Sequence, residues 1–333
     1  MAPLSPAAPV PAPMILVPAI ATPYPHSPEF RPMSPTERPL FHGLSAFPIT
    51  PADASGRVDT QTLAVLVERL CAAGVDAIGL LGSTGTYAYL ARDERRRAIE
   101  AAVACTGRRV PLVVGVGALR TDEAQALARD AEAAGADALL LAPVSYTPLT
   151  EDEVFEHFRA VTQASGLPLC IYNNPSTTHF TFSLDLLERL ARLPSIKAVK
   201  MPLPAGGDFA GEIARLRQRT ELAIGYSADW GLAEAMLAGA DGFHSVLAGL
   251  LPDVTLRLLR AAEAGDAAEA RRLDGELGPL WACFRAFGSL RVMYVLLERL
   301  GLGTAEPPRP ILPLGAEARA AVLQAVEPLL SPA

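Results

Sequence analysis

Three junctions in the chain repeat one motif: Ala73-Gly74-Val75-Asp76-Ala77-Ile78, Ala134-Gly135-Ala136-Asp137-Ala138-Leu139 and Ala238-Gly239-Ala240-Asp241-Gly242-Phe243. Each reads as a helix end, a glycine cap and the start of a strand. Glycine takes the left-handed conformation just past a helix end without steric cost. The run behind each glycine is short and almost wholly apolar, as in a parallel strand buried on both faces. Counting outward gives eight such runs, at 41–47, 77–81, 111–115, 138–142, 168–172, 196–200, 222–226 and 242–246. Amphipathic segments separate them. The first has Asp59 as N-cap, Leu63, Leu66, Val67 and Leu70 on one face and Gly74 as its stop, and a later one opens with Thr150 and Glu153 in capping-box spacing. Eight βα units in series predict an α/β chain closed into a (β/α)8 TIM barrel. An open doubly wound sheet is the competing arrangement, and the strand count and the missing dinucleotide fingerprint weigh against it.

The barrel is expected over 39–251. Beyond it a helical pattern runs from Pro252 through Trp281, Phe284 and Phe287, longer than one closing helix, so 252–333 is expected to add a C-terminal helical bundle. Residues 1–38 are dense in proline and have no helical or strand period, which predicts a disordered tail. A cleaved signal peptide fits it poorly, because no basic segment precedes the mildly apolar 14–20 stretch and Pro18 breaks that stretch. Translation starting at Met33 would account for the tail without a function.

Half of the 333 residues are apolar, yet no run approaches the roughly 20 residues of a membrane helix. The balance of 29 basic against 36 acidic residues offers no basic stripe for nucleic acid or anionic lipid. Cys71, Cys105, Cys170 and Cys283 form no CxxC pair, so neither a zinc site nor a disulfide framework is indicated and a cytoplasmic setting fits.

Among the basic residues only Lys197 and Lys200 are lysines; the rest are arginines. Either cation serves on a solvated surface, but only an amine with an accessible neutral form can attack a carbonyl. Lys200 ends the sixth run. Period-two alternation puts Ile196, Ala198 and Lys200 on one face and Lys197 and Val199 on the other. If the face of small Ala198 is the barrel interior, Lys200 points into the mouth, where barrel enzymes carry their chemistry. A structural lysine holding a buried carboxylate is the alternative. Tyr172 shares its parity with Cys170 on the fifth run and should point inward beside Lys200, where a phenol can carry protons. Gly82-Ser83-Thr84-Gly85-Thr86 follows the second run, a small-residue loop able to hold a carboxylate with its amides and hydroxyls. It is not a P-loop, since no Gly-Lys-Ser/Thr follows. Of the five histidines, only His179 and His244 fall near the mouth, and no cluster of histidines and carboxylates indicates a metal.

These residues resemble the dihydrodipicolinate synthase and N-acetylneuraminate lyase superfamily of Schiff-base class I aldolases. The likeness spans about 40–330 and rests on Gly82-Ser83-Thr84-Gly85, Tyr172-Asn173-Asn174-Pro175 and Ile196-Lys197-Ala198-Val199-Lys200, in that order. It implies that Lys200 forms an imine with a 2-keto acid, that Tyr172 shuttles protons, and that Ser83 is the relay hydroxyl. It further implies that Gly82 and Thr84 hold the substrate carboxylate, that Asn174 and Tyr146 line the substrate site, and that His244 stands at a usually apolar position touching bound pyruvate. Neither metal nor organic cofactor is implied, and a homo-oligomer, dimer or tetramer, is.

The chain also departs from the lysine-biosynthesis members. Their loop continues Glu-Ser where Thr86-Tyr87 stands here, their carboxylate-holding arginine is replaced by Thr177, and their relay tyrosine after the fourth strand falls on Ser145, beside Tyr146. The expectation is therefore a lyase acting on pyruvate or a sugar-acid type of 2-keto acid with an altered second-substrate site. A non-catalytic keto-acid-binding barrel and a true 4-hydroxy-tetrahydrodipicolinate synthase are the alternatives.

Overall fold

The computed structural model describes residues 38–330. The tail expected over 1–38 lies almost entirely outside them. Eight parallel strands close on themselves in chain order: β1 (Gly43–Ala46), β2 (Ala77–Leu80), β3 (Leu112–Gly115), β4 (Ala138–Leu141), β5 (Leu169–Tyr172), β6 (Ile196–Met201), β7 (Ala223–Ser227) and β8 (Gly242–Ser245). The (β/α)8 barrel expected from the repeat is the fold observed, and the open sheet is not. Each strand falls within one residue of its apolar run except β1, which begins two residues late. Phe41 and Gly43 both sit at positive φ there, so the backbone is not extended before Gly43.

Helices α1 (Thr60–Ala73), α2 (Arg92–Thr106), α3 (Thr121–Ala134), α4 (Glu151–Thr162), α5 (Pro175–Thr178), α6 (Leu184–Ala191), α7 (Phe209–Arg219) and α8 (Leu232–Leu237) alternate with the strands. Five more follow β8: α9 (Pro252–Glu263), α10 (Ala267–Glu276), α11 (Gly278–Phe287), α12 (Ser289–Arg299) and α13 (Ala316–Leu330). Of these, α9 packs on α8, α1 and β1, so it completes the ring of helices, while α13 packs on α11 and α12. No helix among the described residues is long and apolar enough to cross a membrane.

The repeated motif works as a clamp. Gly74 and Gly135 cap α1 and α3 in the left-handed conformation, and Gly239 also has positive φ. The aspartate two residues later then grips the strand before it at two points. Asp76 accepts from the Leu44 amide at 2.7 Å and donates its own amide to the Leu44 carbonyl at 3.0 Å. Asp137 does the same with Leu112, at 2.8 and 3.0 Å, and Asp241 with Ile224, at 2.8 and 2.9 Å. An amide in the first two residues of each clamped strand thus has an acceptor at the barrel's bottom.

The two faces of each strand bury different material. Ile78, Leu80, Leu112, Val114, Leu139, Leu141, Ile171, Val199 and Ile224 join the helices in the outer core. Ala77, Val113, Ala138, Leu140, Cys170, Tyr172 and Ala198 form the interior with Phe41 and Phe47. The face of Ala198 is therefore the interior, as the alternation required.

Asp76 is buried and also pairs with Arg260 at 2.9 Å and with Arg38 at 3.2 Å, whereas Asp137 is exposed. Asp76→Ala should cost about 2 to 4 kcal/mol, because it leaves the buried Leu44 amide without its acceptor and takes one of two carboxylates from the half-buried Arg38 and Arg260. Asp137→Ala should cost about 1 kcal/mol. Urea unfolding of both variants checks the contrast, and equal losses would contradict it.

Candidate active site

Lys200 is 5% exposed at the C-terminal end of β6, while Lys197 on the opposite face is exposed. Its Nζ lies 4.0 Å from the ring centroid of Phe47 and 4.1 Å from that of Tyr172. Among the described residues it holds no carboxylate, which removes the structural ion-pair reading of this lysine. Both contacts are with aromatic faces, which carry no net charge. Cys170, in the same interior, is no rival nucleophile, since burial pushes its thiol up to about 12.

Tyr172 pairs in register with Lys200 across β5 and β6. The Asn174 amide donates to its hydroxyl at 3.0 Å, and the Ser83 hydroxyl lies 3.4 Å away. Asn174 also donates to Thr177 Oγ1 at 2.9 Å and accepts from Ser176 at 2.9 Å. The side chain implied to line the substrate site is thus shared among Tyr172, Thr177 and Ser176. With one lone pair engaged by Asn174, the phenolic proton is free to point toward Ser83 or a bound molecule.

The loop after β2 is made by backbone conformation more than by side-chain bonds. Leu81 and Thr86 both take positive φ, at 55° and 53°, and the Thr86 amide donates to the Ser83 carbonyl at 3.1 Å. The turn passes over Gly115, where a Cβ would sit 1.9 Å from the Leu81 carbonyl oxygen. Ser83 is exposed, whereas Gly82 and Thr84 are buried beside it. Tyr87 follows, buried, at the start of a 3₁₀ turn, Tyr87–Tyr89, its hydroxyl pushed up to about 12, chiefly by burial and then by Tyr172, with Arg95 opposing.

Phe47, which the sequence reading did not single out, forms the wall under the amine. A Cβ at Gly79 would lie 2.2 Å from its ring and one at Gly82 2.7 Å, so the ring occupies space that two glycines leave open. The available signal was Phe47-Pro48, an aromatic ending the first apolar run just before a proline, comparable with Lys200-Met201-Pro202.

His244 on β8 packs edge-on to Phe47 with ring centroids 5.7 Å apart. A Cβ at Gly225 would meet its Nε2 at 2.6 Å, and Gly225 pairs in register with Lys200. Burial first, and Lys200 second, hold the imidazole well below the usual histidine range, so it is neutral. Behind it Asp229, fully buried, accepts from the Ser245 hydroxyl and from the amides of Val246 at 3.1 Å and Leu247 at 3.0 Å, fixing the end of β8.

Tyr146, implied to line the substrate site, and His179, read as near the mouth, are both exposed. Tyr146 is 96% exposed on the loop between β4 and α4, turned to solvent because the neighbouring Ser145 hydroxyl closes a tight turn onto the Thr147 carbonyl. His179 caps α5 in the left-handed conformation and is exposed. Lys200, Tyr172, Ser83, Asn174 and His244 are brought together around the β5–β6 end of the mouth.

Comparison with known proteins agrees with this geometry. A profile of the dihydrodipicolinate synthetase family matches residues 40–329. The 4-hydroxy-tetrahydrodipicolinate synthase of Phenylobacterium zucineum (strain HLK1) is 34% identical over 289 residues, 86% of this chain and 97% of its own. The crystal structure of dihydrodipicolinate synthase from Agrobacterium tumefaciens str. C58 is similar at 62% identity and a TM-score of 0.86, covering 87% of this chain and 98% of that one. The dihydrodipicolinate synthase from Acinetobacter baumannii, solved with pyruvate, is 29% identical with a TM-score of 0.80, covering 86% and 98%. A barrel with its interior amine at the end of β6 and a small-residue loop after β2, matched over nearly all its described length, belongs to the dihydrodipicolinate synthetase family of lyases.

Proposed function

We propose that the protein is a class I aldolase-type lyase in which Lys200 forms an imine with pyruvate or a related 2-keto acid, and in which the second-substrate side differs from that of a dihydrodipicolinate synthase. The observation that carries it is the placement of the amine: 5% exposed, against two aromatic faces, in register with Tyr172.

Neutral Lys200 adds to the C2 ketone and water leaves, giving a protonated imine. That cation draws electrons from C3. Removal of a proton from C3, or cleavage of the C3–C4 bond with its electron pair kept on C3 and C4 leaving as a carbonyl, converts it to an enamine; the enamine can expel a C4 hydroxyl as water on protonation, and the reverse of cleavage makes a bond at C3. Tyr172 hands protons on through Ser83, the two hydroxyls being 3.4 Å apart. The amides and hydroxyls of Gly82, Ser83 and Thr84 receive the substrate carboxylate across the mouth, so C1 lies on the Tyr172 side of the imine. Chemistry of this type needs no metal or organic cofactor. A homo-oligomer is part of the reading, by family likeness.

Dihydrodipicolinate synthesis is the second reading, favoured by the names of the relatives at 34% and 62% identity. Against it stands Thr177. It is exposed, its hydroxyl is taken by Asn174, and it cannot give a carboxylate the bidentate, charge-assisted contact of an arginine.

Borohydride with pyruvate should add one pyruvate-derived mass on Lys200, located by peptide mass spectrometry, and Lys200→Arg should fold and lose it. Labelling at Lys197, or none with a broad keto-acid panel, would overturn the mechanism. Tyr172→Phe should still be trapped while its turnover falls about 10²-fold to 10⁴-fold, the range for a lost acid-base group; turnover near wild type would leave Tyr172 as packing. Condensation of pyruvate with aspartate semialdehyde should be weak, since a lost hydrogen bond to a charged group costs about 1.5–3 kcal/mol, or one to two decades. Efficient condensation would favour the second reading and leave the imine intact.

A further inference from the structure

His244 is 5% exposed, its Nδ1 is buried without a partner, and no protein group hydrogen-bonds either ring nitrogen among the described residues. An apolar side chain would fill the same space without that penalty, which is of the order that makes orphaned buried polar groups rare. The surroundings are nevertheless arranged to seat this ring. Gly225 leaves the volume that Nε2 enters, Phe47 packs against the ring in a T-shaped contact, and Asp229 fixes the strand end that carries it. Nor is the position remote from the chemistry. Gly225 is the register partner of Lys200, and adjacent strands stand about 5 Å apart. Lys200 therefore has Tyr172 on one side and the imidazole, reaching over Gly225, on the other.

The direction of a bound keto acid follows. With C1 held by the loop at 82–84 on the Tyr172 side, the planar imine turns C3 and the chain beyond it toward His244. A plain methyl there would leave the imidazole unsatisfied. We propose that His244 is a specificity-determining residue whose neutral imidazole hydrogen-bonds a hydroxyl on C3 or C4 of the imine-bound substrate, so that the enzyme's substrates are hydroxylated 2-keto acids of the sugar-acid class. The inference rests on the Schiff-base reading and adds to it the substrate's polar substituent. The same arrangement explains why an imidazole stands where a family likeness implies an apolar side chain: a neutral ring offers a hydrogen bond without adding a charge beside the iminium.

The test compares 4-hydroxy-2-oxobutanoate with 2-oxobutanoate, identical in skeleton and differing by one hydroxyl. Half-saturation of borohydride trapping at Lys200 is measured for each. Wild type should prefer the hydroxylated acid about tenfold, as expected for one hydrogen bond to an otherwise orphaned buried group. His244→Leu, its fold checked by circular dichroism, should lose the preference between the two acids; His244→Gln should retain part of it. Trapping of both acids by wild type without preference would overturn the inference alone, whatever the variants do, as would a Leu variant that keeps the preference. No trapping of either acid would overturn the Schiff-base reading and the inference with it.

Discussion

An amine can act as a nucleophile in a protein only where nothing nearby holds its proton permanently, and in this barrel that constraint shapes the interior. Lys200 rises through a well walled by Phe47, Tyr172 and Ala198, with no carboxylate on it among the described residues. The chain's acidic groups are spent elsewhere. Asp76, Asp137 and Asp241 tie strand beginnings at the bottom, and Asp229 is closed off by a hydroxyl and two amides behind β8. The barrel thus keeps fixed negative charge away from the amine.

Room for four large side chains in one well comes from the residues that are small. Ala77, Ala138 and Ala198 line the interior, and Gly79, Gly82 and Gly225 leave the volumes that Phe47 and His244 enter. A methyl group at Gly79 would lie 2.2 Å from the Phe47 ring, so even alanine there forces the ring, and with it the wall under Nζ, to move. Placement of the amine is in this sense a packing problem solved on β1, β2, β7 and β8 as much as on β6.

The barrel was legible because two signals reinforce each other: the glycine-capped repeat fixes the helix-to-strand boundaries, and period-two alternation fixes which face of each strand is inside. Together they predicted the inward aim of Lys200 and Tyr172. The clamp made by Asp76, Asp137 and Asp241 was visible as a repeated letter but not as a function, since its partner amides are 32, 25 and 17 residues earlier in the chain. Phe47 was missed for a similar reason; an aromatic at a strand end has the composition of core, and only the glycines opposite, far off in sequence, say what it supports. Tyr146 is a different case. Its position in a mouth loop was right, but side-chain direction in a loop is set by local turns such as Ser145 to Thr147, which carry no period to read.

That difference between strands and loops also separates the two halves of the proposed reaction. Lys200, Tyr172 and His244 stand on strands held by neighbours on both sides, and so the imine half is set by the fold's own register. Thr177 and Tyr146 stand on connections, where a substitution alters the surface offered to a second substrate without disturbing a strand. Ser83 and Asn174 join the two, since both are loop residues that reach the Tyr172 hydroxyl. A change of carbonyl partner can therefore accumulate in the loops while Lys200 stays in place, but a change in the keto acid itself must be made on the strands. His244, paired into β8 and seated over Gly225 of β7, is the polar strand residue at which the proposed preference for a hydroxylated keto acid would be set.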